Sequence, residues 1–379
     1  MDKNLKGVFP LKGVIQDYAW GGKTFLSELF NIANKEQKPF AEYWVGVHSR
    51  GIAQIKRNGE WTDLSNYSKL PFLLKILDVN QMLSIQSHPN KEQAEIGFAN
   101  EEKEGIPIDA KHRIFKDDNH KPELMVAMSD FWLLHGFKSE GDIKKTILSI
   151  PEYRDLQAHL EKGVKSFYTY LLQLSDEELV RILTPLKKRL ATESPSDRNN
   201  PNYWAHLAFT DYGFDKGIFS IYFFNLVYLK EGEAIYQEAG IPHAYLEGMN
   251  IEIMANSDNV FRAGLTPKHV DAEVLLAHLD FSAVTPEIIY PTAVGDHEKV
   301  YKSLAKEFEV SIISLHDKDY QFTSRANECF IMLKGEMSVV SSQSTQNYVS
   351  GECMFSTEGE QIIMKPESNC KIVRATIPA

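Results

Sequence analysis

The feature that most constrains this chain is a change of hydrophobic period in its middle. Up to about residue 137 the apolar segments are short and broken by turn residues, as in Gly51-Ile-Ala-Gln-Ile, Pro71-Phe-Leu-Leu-Lys-Ile-Leu and Phe131-Trp-Leu-Leu-His-Gly-Phe. This favours strands over long helices. Between about residues 139 and 211, Leu179, Ile182, Leu183, Leu186 and Leu190 recur at helical spacing behind the capping-box sequence Ser175-Asp-Glu-Glu178. Pro151 and Pro185 should limit or kink helices there. Strand-like pattern resumes at Phe214-Asp-Lys-Gly-Ile-Phe-Ser-Ile-Tyr-Phe-Phe and continues through Ile251-Glu-Ile-Met-Ala, with turn residues at roughly ten-residue intervals. A last β-rich block contains Phe308-Glu-Val-Ser-Ile-Ile and Ile372-Val-Arg-Ala-Thr-Ile.

The expected organisation is therefore mainly β. One β domain comprises 1–137 plus 212–286, an α-helical insertion fills 138–211, and a C-terminal β-rich domain occupies 287–379. Leu229-Lys-Glu-Gly-Glu and Leu333-Lys-Gly-Glu hint at two related β units. The later copy lacks a metal-ligand histidine, so a second barrel there should be structural.

The 379 residues exceed the roughly 250 to 300 at which a single core stops growing, consistent with several domains. At 43% hydrophobic and 25% charged, the chain is neither disordered nor fibrous in composition. Its net charge of -11 argues against nucleic acid as a partner, since backbone phosphates demand a dense basic face. An anionic substrate would need a local basic cluster. Only three cysteines occur, with no CxxC spacing, which fits a reducing compartment. Residues 1–19 show no apolar signal-peptide core, and the longest apolar stretch, 218–229, is interrupted by Ser220 and Asn225. It falls short of the roughly 20 residues of a spanning helix. The expectation is a cytoplasmic protein with no membrane partner, monomer or homodimer.

Chemistry concentrates in four segments. In Leu83-Ser-Ile-Gln-Ser-His-Pro-Asn90 the two-residue period of a strand puts Ser84, Gln86 and His88 on one face. Lys121 and Glu123 share a face in His120-Lys-Pro-Glu123, as do His243 and Tyr245 in Pro242-His-Ala-Tyr245. Two imidazoles, a carboxylate and an amide oxygen form a nitrogen and oxygen donor set that suits zinc, with iron, manganese and cobalt as alternatives. Any one of these histidines alone would more often be an ordinary core or surface residue; the joint pattern carries the argument. The fourth segment places Glu252 on a strand and Arg262 and Lys268 around a Gly-Leu-Thr-Pro turn, supplying the basic cluster. A plain Glu252–Arg262 ion pair with a surface Lys268 would produce the same residues.

In Tyr18-Ala-Trp-Gly-Gly, Ala41-Glu-Tyr-Trp-Val-Gly, Leu83-Ser-Ile-Gln-Ser-His-Pro-Asn, His120-Lys-Pro-Glu-Leu, Gly240-Ile-Pro-His-Ala-Tyr-Leu and Ser257-Asp-Asn-Val-Phe-Arg-Ala-Gly-Leu-Thr-Pro-Lys, the chain resembles the type I phosphomannose isomerases. The match runs in order across roughly residues 10 to 280 and departs at Tyr43, where leucine is usual. The resemblance implies a cupin-type jelly-roll barrel with a helical insertion and one zinc ion per chain, held by Gln86, His88, Glu123 and His243. It matches Arg262 to the catalytic arginine and places Ser84, Lys121, Tyr245, Glu252 and Lys268 around the substrate, with Trp20 and Glu42 in the pocket wall. The implied reaction interconverts mannose 6-phosphate and fructose 6-phosphate through a cis-enediol. Zinc would act as a Lewis acid, and Arg262 would offset developing negative charge. Glu252, Lys121 and a zinc-bound water are each reasonable as the base. A non-enzymatic sugar-phosphate sensor on the same fold, or an isomerase for glucose 6-phosphate, are the competing functions.

Gly21-Gly-Lys-Thr24 imitates the tail of a P-loop, but Asp17 stands where that motif needs glycine, so no nucleotide site is expected.

Overall fold

The structure, a computed structural model, describes residues 5–110, 112–267 and 270–378. Its organising element is the long strand His243–Ala255. The first half of this strand pairs with Phe131–Phe137 and touches Ile85–Ser87; the second half pairs with Phe72–Val79 and Glu123–Ala127. The switch between partners falls at Gly248, whose φ of 130° suits glycine, and where a Cβ would lie 2.6 Å from the Asp130 carbonyl and the Phe131 ring. One strand thus serves both walls of a barrel. Its alternation aims Glu252 at the side chains of its cross-strand partners Lys75 and Met125. In the same way Gln86 stands opposite both His243 and Arg262.

Helices follow the strand Phe131–Phe137, as expected: Glu140–Ser149, Val164–Gln173, Asp176–Glu193 and Pro201–Asp211 among them. The capping box at Ser175 is formed, with the Glu178 amide donating to the Ser175 hydroxyl and the Glu178 carboxylate accepting from the Ser175 amide at 3.0 Å. Leu179, Leu183, Leu186 and Leu190 make the buried stripe of this helix. Pro185 sits inside it without ending it.

Two local expectations are corrected. The run after Phe214 opens as a helix, Gly217–Phe223, and only then becomes the strand Phe224–Leu229. All seven helical residues are buried, so apolar periodicity could not separate helix from strand. The Asp215 carboxylate starts the helix by accepting from the Gly217 amide at 2.6 Å. In the N-terminal region, expected to be strand-rich, Lys91–Lys103 is also a helix, announced by the capping box Asn90 and Gln93.

The C-terminal block forms two further sheets. A four-stranded one contains Tyr320–Thr323, Gln361–Pro366, Glu336–Val340 and Thr345–Val349. It packs through Met337, Val339, Ile362 and Met364 against Ile313, Phe330 and Ile372 of the larger sheet. That larger sheet also takes in Val8–Lys12 and the hairpin Gln54–Arg57 with Glu60–Asp63, with Phe9 opposite Phe355 and Leu11 opposite Ile55. After Gly13 the same N-terminal ribbon enters the barrel as Val14–Gln16, beside Glu42–His48. A continuous piece of backbone therefore ties the two β units together. None of the described helices is long and apolar enough to cross a membrane.

Candidate metal centre and active site

The barrel interior opens as a cavity of about 610 Å³, within the range of small-molecule sites. At one end His88, Glu123 and His243 present ligand atoms all within 4.8 Å of one another, and all three side chains are buried. Glu123 sits between the imidazoles, Oε1 being 3.5 Å from His88 Nε2 and Oε2 3.4 Å from His243 Nε2. Each ring is fixed from behind: His88 Nδ1 lies 2.7 Å from the Asn259 carbonyl and His243 Nδ1 3.0 Å from that of Ile241. Donation to those carbonyls places the proton on Nδ1 and leaves each Nε2 lone pair facing the carboxylate, the second-sphere arrangement metal-binding histidines use.

The electrostatics agree. Burial, helped by Lys121, pushes His88 down to about 4, keeping its imidazole neutral. Burial alone would raise Glu123, but the Lys121 ammonium, 2.8 Å from Oε1, holds it well below the usual carboxylate range. His88 Nε2 is buried with no hydrogen-bond partner, a costly state for a polar atom. A neutral imidazole with an orphaned Nε2 beside an ionised carboxylate is what a cation would satisfy, so the residues fit a divalent metal. Gln86 lines the cavity directly across the strand pair from His243, where its amide oxygen can complete the set.

The sheet that carries Glu123 holds charge of both signs on its neighbouring strands. Lys75 Nζ lies 2.7 Å from Glu252 Oε1 and 3.7 Å from Glu42 Oε2, all three side chains buried. Burial would lower Lys75, but Glu252 and Glu42 hold it above the ordinary lysine value. Glu252 is raised, because burial outweighs the pull of Lys75 and the nearby Glu123 and Glu42 add to it. Trp44 Nε1 donates to Glu42, fixing that carboxylate. Tyr245 projects its hydroxyl into the same interior without a hydrogen-bond partner. Burial and Glu252 raise its pKa far above the usual value, so it stays a phenol.

The sequence-derived site residues converge with little scatter. Trp20, Glu42, Ser84, Gln86, Lys121, Glu123, His243, Tyr245, Glu252 and Arg262 all line the cavity, with His88 immediately behind Glu123. Lys121 is tied to Glu123 Oε1 at 2.8 Å. The suggested Glu252–Arg262 pair does not form: Glu252 pairs with Lys75, while Arg262 Nε is buried and unpartnered. Burial and the neighbouring Arg50 lower Arg262 below the ordinary arginine value, which leaves a guanidinium still charged near neutrality. Lys268 lies outside the described residues.

Sequence reasoning missed Lys75, Arg50 and Asp258. Arg50 and Lys75 both lie near the Trp44 ring, at 5.7 and 5.4 Å. Asp258 is bound by the Arg50 guanidinium and by His48 Nε2 at 3.3 Å, and despite partial burial these partners hold its pKa near about 2. Lys75 did leave a signal: a lone lysine within the otherwise apolar run 72–77 of the strand Phe72–Val79 must be paired to be buried. Arg50, on a turn, left none.

Residues 8–140 match the family model of the phosphomannose isomerase type I catalytic domain. The chain is 35% identical to mannose-6-phosphate isomerase of Salmonella typhimurium, over 93% of this chain and 91% of that one. It is 31% identical to the enzyme of the same name from Rattus norvegicus, over 94% and 95% of the two chains. Among solved structures, zinc-bound mannose 6-phosphate isomerase superposes with a TM-score of 0.88 at 32% identity, covering 98% of this chain and 100% of that one. The Salmonella typhimurium enzyme bound to substrate and a zinc atom gives 0.87 at 33%, with the same coverage. The phosphomannose isomerases have a cupin fold, which is the barrel described above, and on sequence and structure together this chain belongs to the type I phosphomannose isomerase family.

Proposed function

We propose that this chain is a metal-dependent aldose-ketose isomerase interconverting D-mannose 6-phosphate and D-fructose 6-phosphate through a cis-enediol. The observation that carries the reading is the placement of a buried His88–Glu123–His243 cluster in one cavity with Glu252, Lys75 and Arg262. Gln86, His88, Glu123 and His243 would hold zinc, as the zinc-bound relatives suggest. When bound, the ion supplies a Lewis acid for substrate oxygens.

The remaining tasks fall to the protein. Isomerisation moves one proton between C1 and C2, so a base must accept it from one carbon and return it to the other. Glu252 is the proposed base: its raised pKa brings it nearer neutrality, which favours proton transfer in both directions. Lys75 holds the carboxylate in place. Lys121 is engaged with Glu123, which suits it to fixing a ligand and touching substrate oxygen better than to acting as base. Arg262 offers fixed positive charge to the developing enediolate, a contribution of about 3 to 4 kcal/mol per donor. Ser84, Tyr245, Trp20 and Glu42 shape the sugar site, and Lys268 is proposed to meet the phosphate.

The sensor alternative would leave Glu252 and Arg262 without a task. Initial rates separate the functions. Turnover of mannose 6-phosphate well above that of glucose 6-phosphate supports the reading; binding of both esters without turnover by zinc-loaded protein would establish a sensor. Buried, unpaired cysteines and the acidic charge support a cytoplasmic protein with no nucleic-acid partner, monomer or homodimer. The division at 1–137 plus 212–286, 138–211 and 287–379 is proposed as the domain organisation, with Val8–Lys12 and residues 54–63 contributed to the sheet of the C-terminal unit.

A further inference from the structure

We infer that Asn259 is a positioning residue for the metal centre: by knotting the 116–119 loop to the turn that carries its own carbonyl, it holds His88 in one tautomer and orientation. This rests on the metal reading above and extends it to a residue that touches neither metal nor substrate.

The Asn259 side chain is fully buried and its amide is used at both ends. Oδ1 accepts from the Lys116 amide at 2.7 Å and from the Asp117 amide at 3.3 Å. Nδ2 donates to the carbonyls of Asp117 and Asn119, at 2.7 and 2.9 Å. The pattern needs an acceptor and a donor on one planar group, so aspartate cannot reproduce it despite its matching shape. Two further bonds close the knot. The Asp258 amide donates to Asp117 Oδ2 at 2.7 Å, and Asn119 Nδ2 donates to the Asn256 carbonyl at 3.1 Å.

Each strand end leaving this knot delivers functional groups. The 116–119 loop leads into Lys121 and Glu123. The 256–259 turn presents Asp258 to the cavity and leads to Arg262 on Phe261–Gly264. Between them, the Asn259 carbonyl receives the His88 Nδ1 proton at 2.7 Å. Were the turn to shift, His88 would lose the hydrogen bond that keeps Nε2 free of a proton and aimed at Glu123. Residues that orient metal-binding histidines in this way are typically worth about 10- to 100-fold in metal affinity.

The test measures zinc dissociation constants by competition with a chromogenic chelator, for wild type, Asn259→Ala and Asn259→Asp. Both substitutions should weaken zinc about 10- to 100-fold, while kcat at saturating zinc stays within a fewfold of wild type. The route through His88 is read from double substitutions: the Asn259→Ala effect should disappear in a His88→Ala background and persist in a His243→Ala background. If Asn259→Ala does not fold, Asp117→Ala decides instead, since it cuts the same knot away from the metal and should also weaken zinc. Wild type that binds zinc with the same affinity as the folded variants would overturn this inference alone, as would an undiminished effect without His88. Wild type that binds no zinc would instead remove the metal reading, and this inference with it.

Discussion

The two β units of this protein both bury charge, and they do so in opposite ways. In the C-terminal unit Arg374 is 4% exposed and gives two hydrogen bonds to Glu328, at 2.9 and 2.7 Å, and two more to Glu298, at 3.2 and 3.1 Å. Tyr320, Ser311 and Thr376 donate to the same two carboxylates, and the guanidinium lies 4.4 Å from the centre of the Phe322 ring. Its charge is thus matched on every side. In the catalytic barrel, by contrast, His88 Nε2, Tyr245 Oη and Arg262 Nε are buried without partners around an open cavity. Buried polar groups are normally satisfied. A satisfied network holds a fold together, whereas convergent unsatisfied groups mark where something else must bind. Hydrogen-bond accounting separates the two units.

Substitutions can break or sharpen this contrast. The largest effect is expected for Glu123→Ala, which removes a proposed metal ligand: kcat/KM for mannose 6-phosphate should fall on the order of 10³-fold, several kcal/mol of lost electrostatic stabilisation. The global unfolding free energy should change far less, as denaturant titration would reveal. Arg374→Met should show the reverse. Leaving Glu298 and Glu328 buried without their cation should cost about 3 to 5 kcal/mol of stability, with activity per folded molecule preserved; a loss of kcat without loss of stability would erase the distinction between the units.

Arg262→Ala should lower kcat about 10²- to 10³-fold while KM changes much less, because its proposed task is to offset negative charge that develops in the transition state. The smallest expected effect is that of Lys75→Met, about tenfold at neutral pH. Lys75 is the cation that restrains the raised pKa of Glu252, so removing it raises that pKa further. A base works only when deprotonated, hence the acid limb of the kcat/KM profile should move to higher pH. An unmoved limb would take the role of base away from Glu252.

Much of the site was legible because strand geometry is local. Alternation alone put Gln86 with His88, Lys121 with Glu123, and His243 with Tyr245, and the barrel brings those pairs together around one cavity. The Ser175 capping box was equally readable, being set by residues three positions apart. What sequence hid was long-range or ambiguous. Nothing in Val8–Lys12 announces that it pairs with Cys353–Ser356 rather than with its neighbours in the chain. The wholly apolar Gly217–Phe223 carries no period to read. Arg50 lines the cavity paired to Asp258, more than two hundred residues away, a contact no local pattern announces.

The measurement that tests the central claim most directly follows zinc content and turnover of mannose 6-phosphate in the same sample as metal is stripped by chelator and returned in steps. The account predicts that activity disappears with the metal and returns in proportion to bound zinc, reaching its maximum at one ion per chain, and that a His243→Ala variant neither binds the ion as tightly nor recovers. Full turnover by metal-free protein would contradict it.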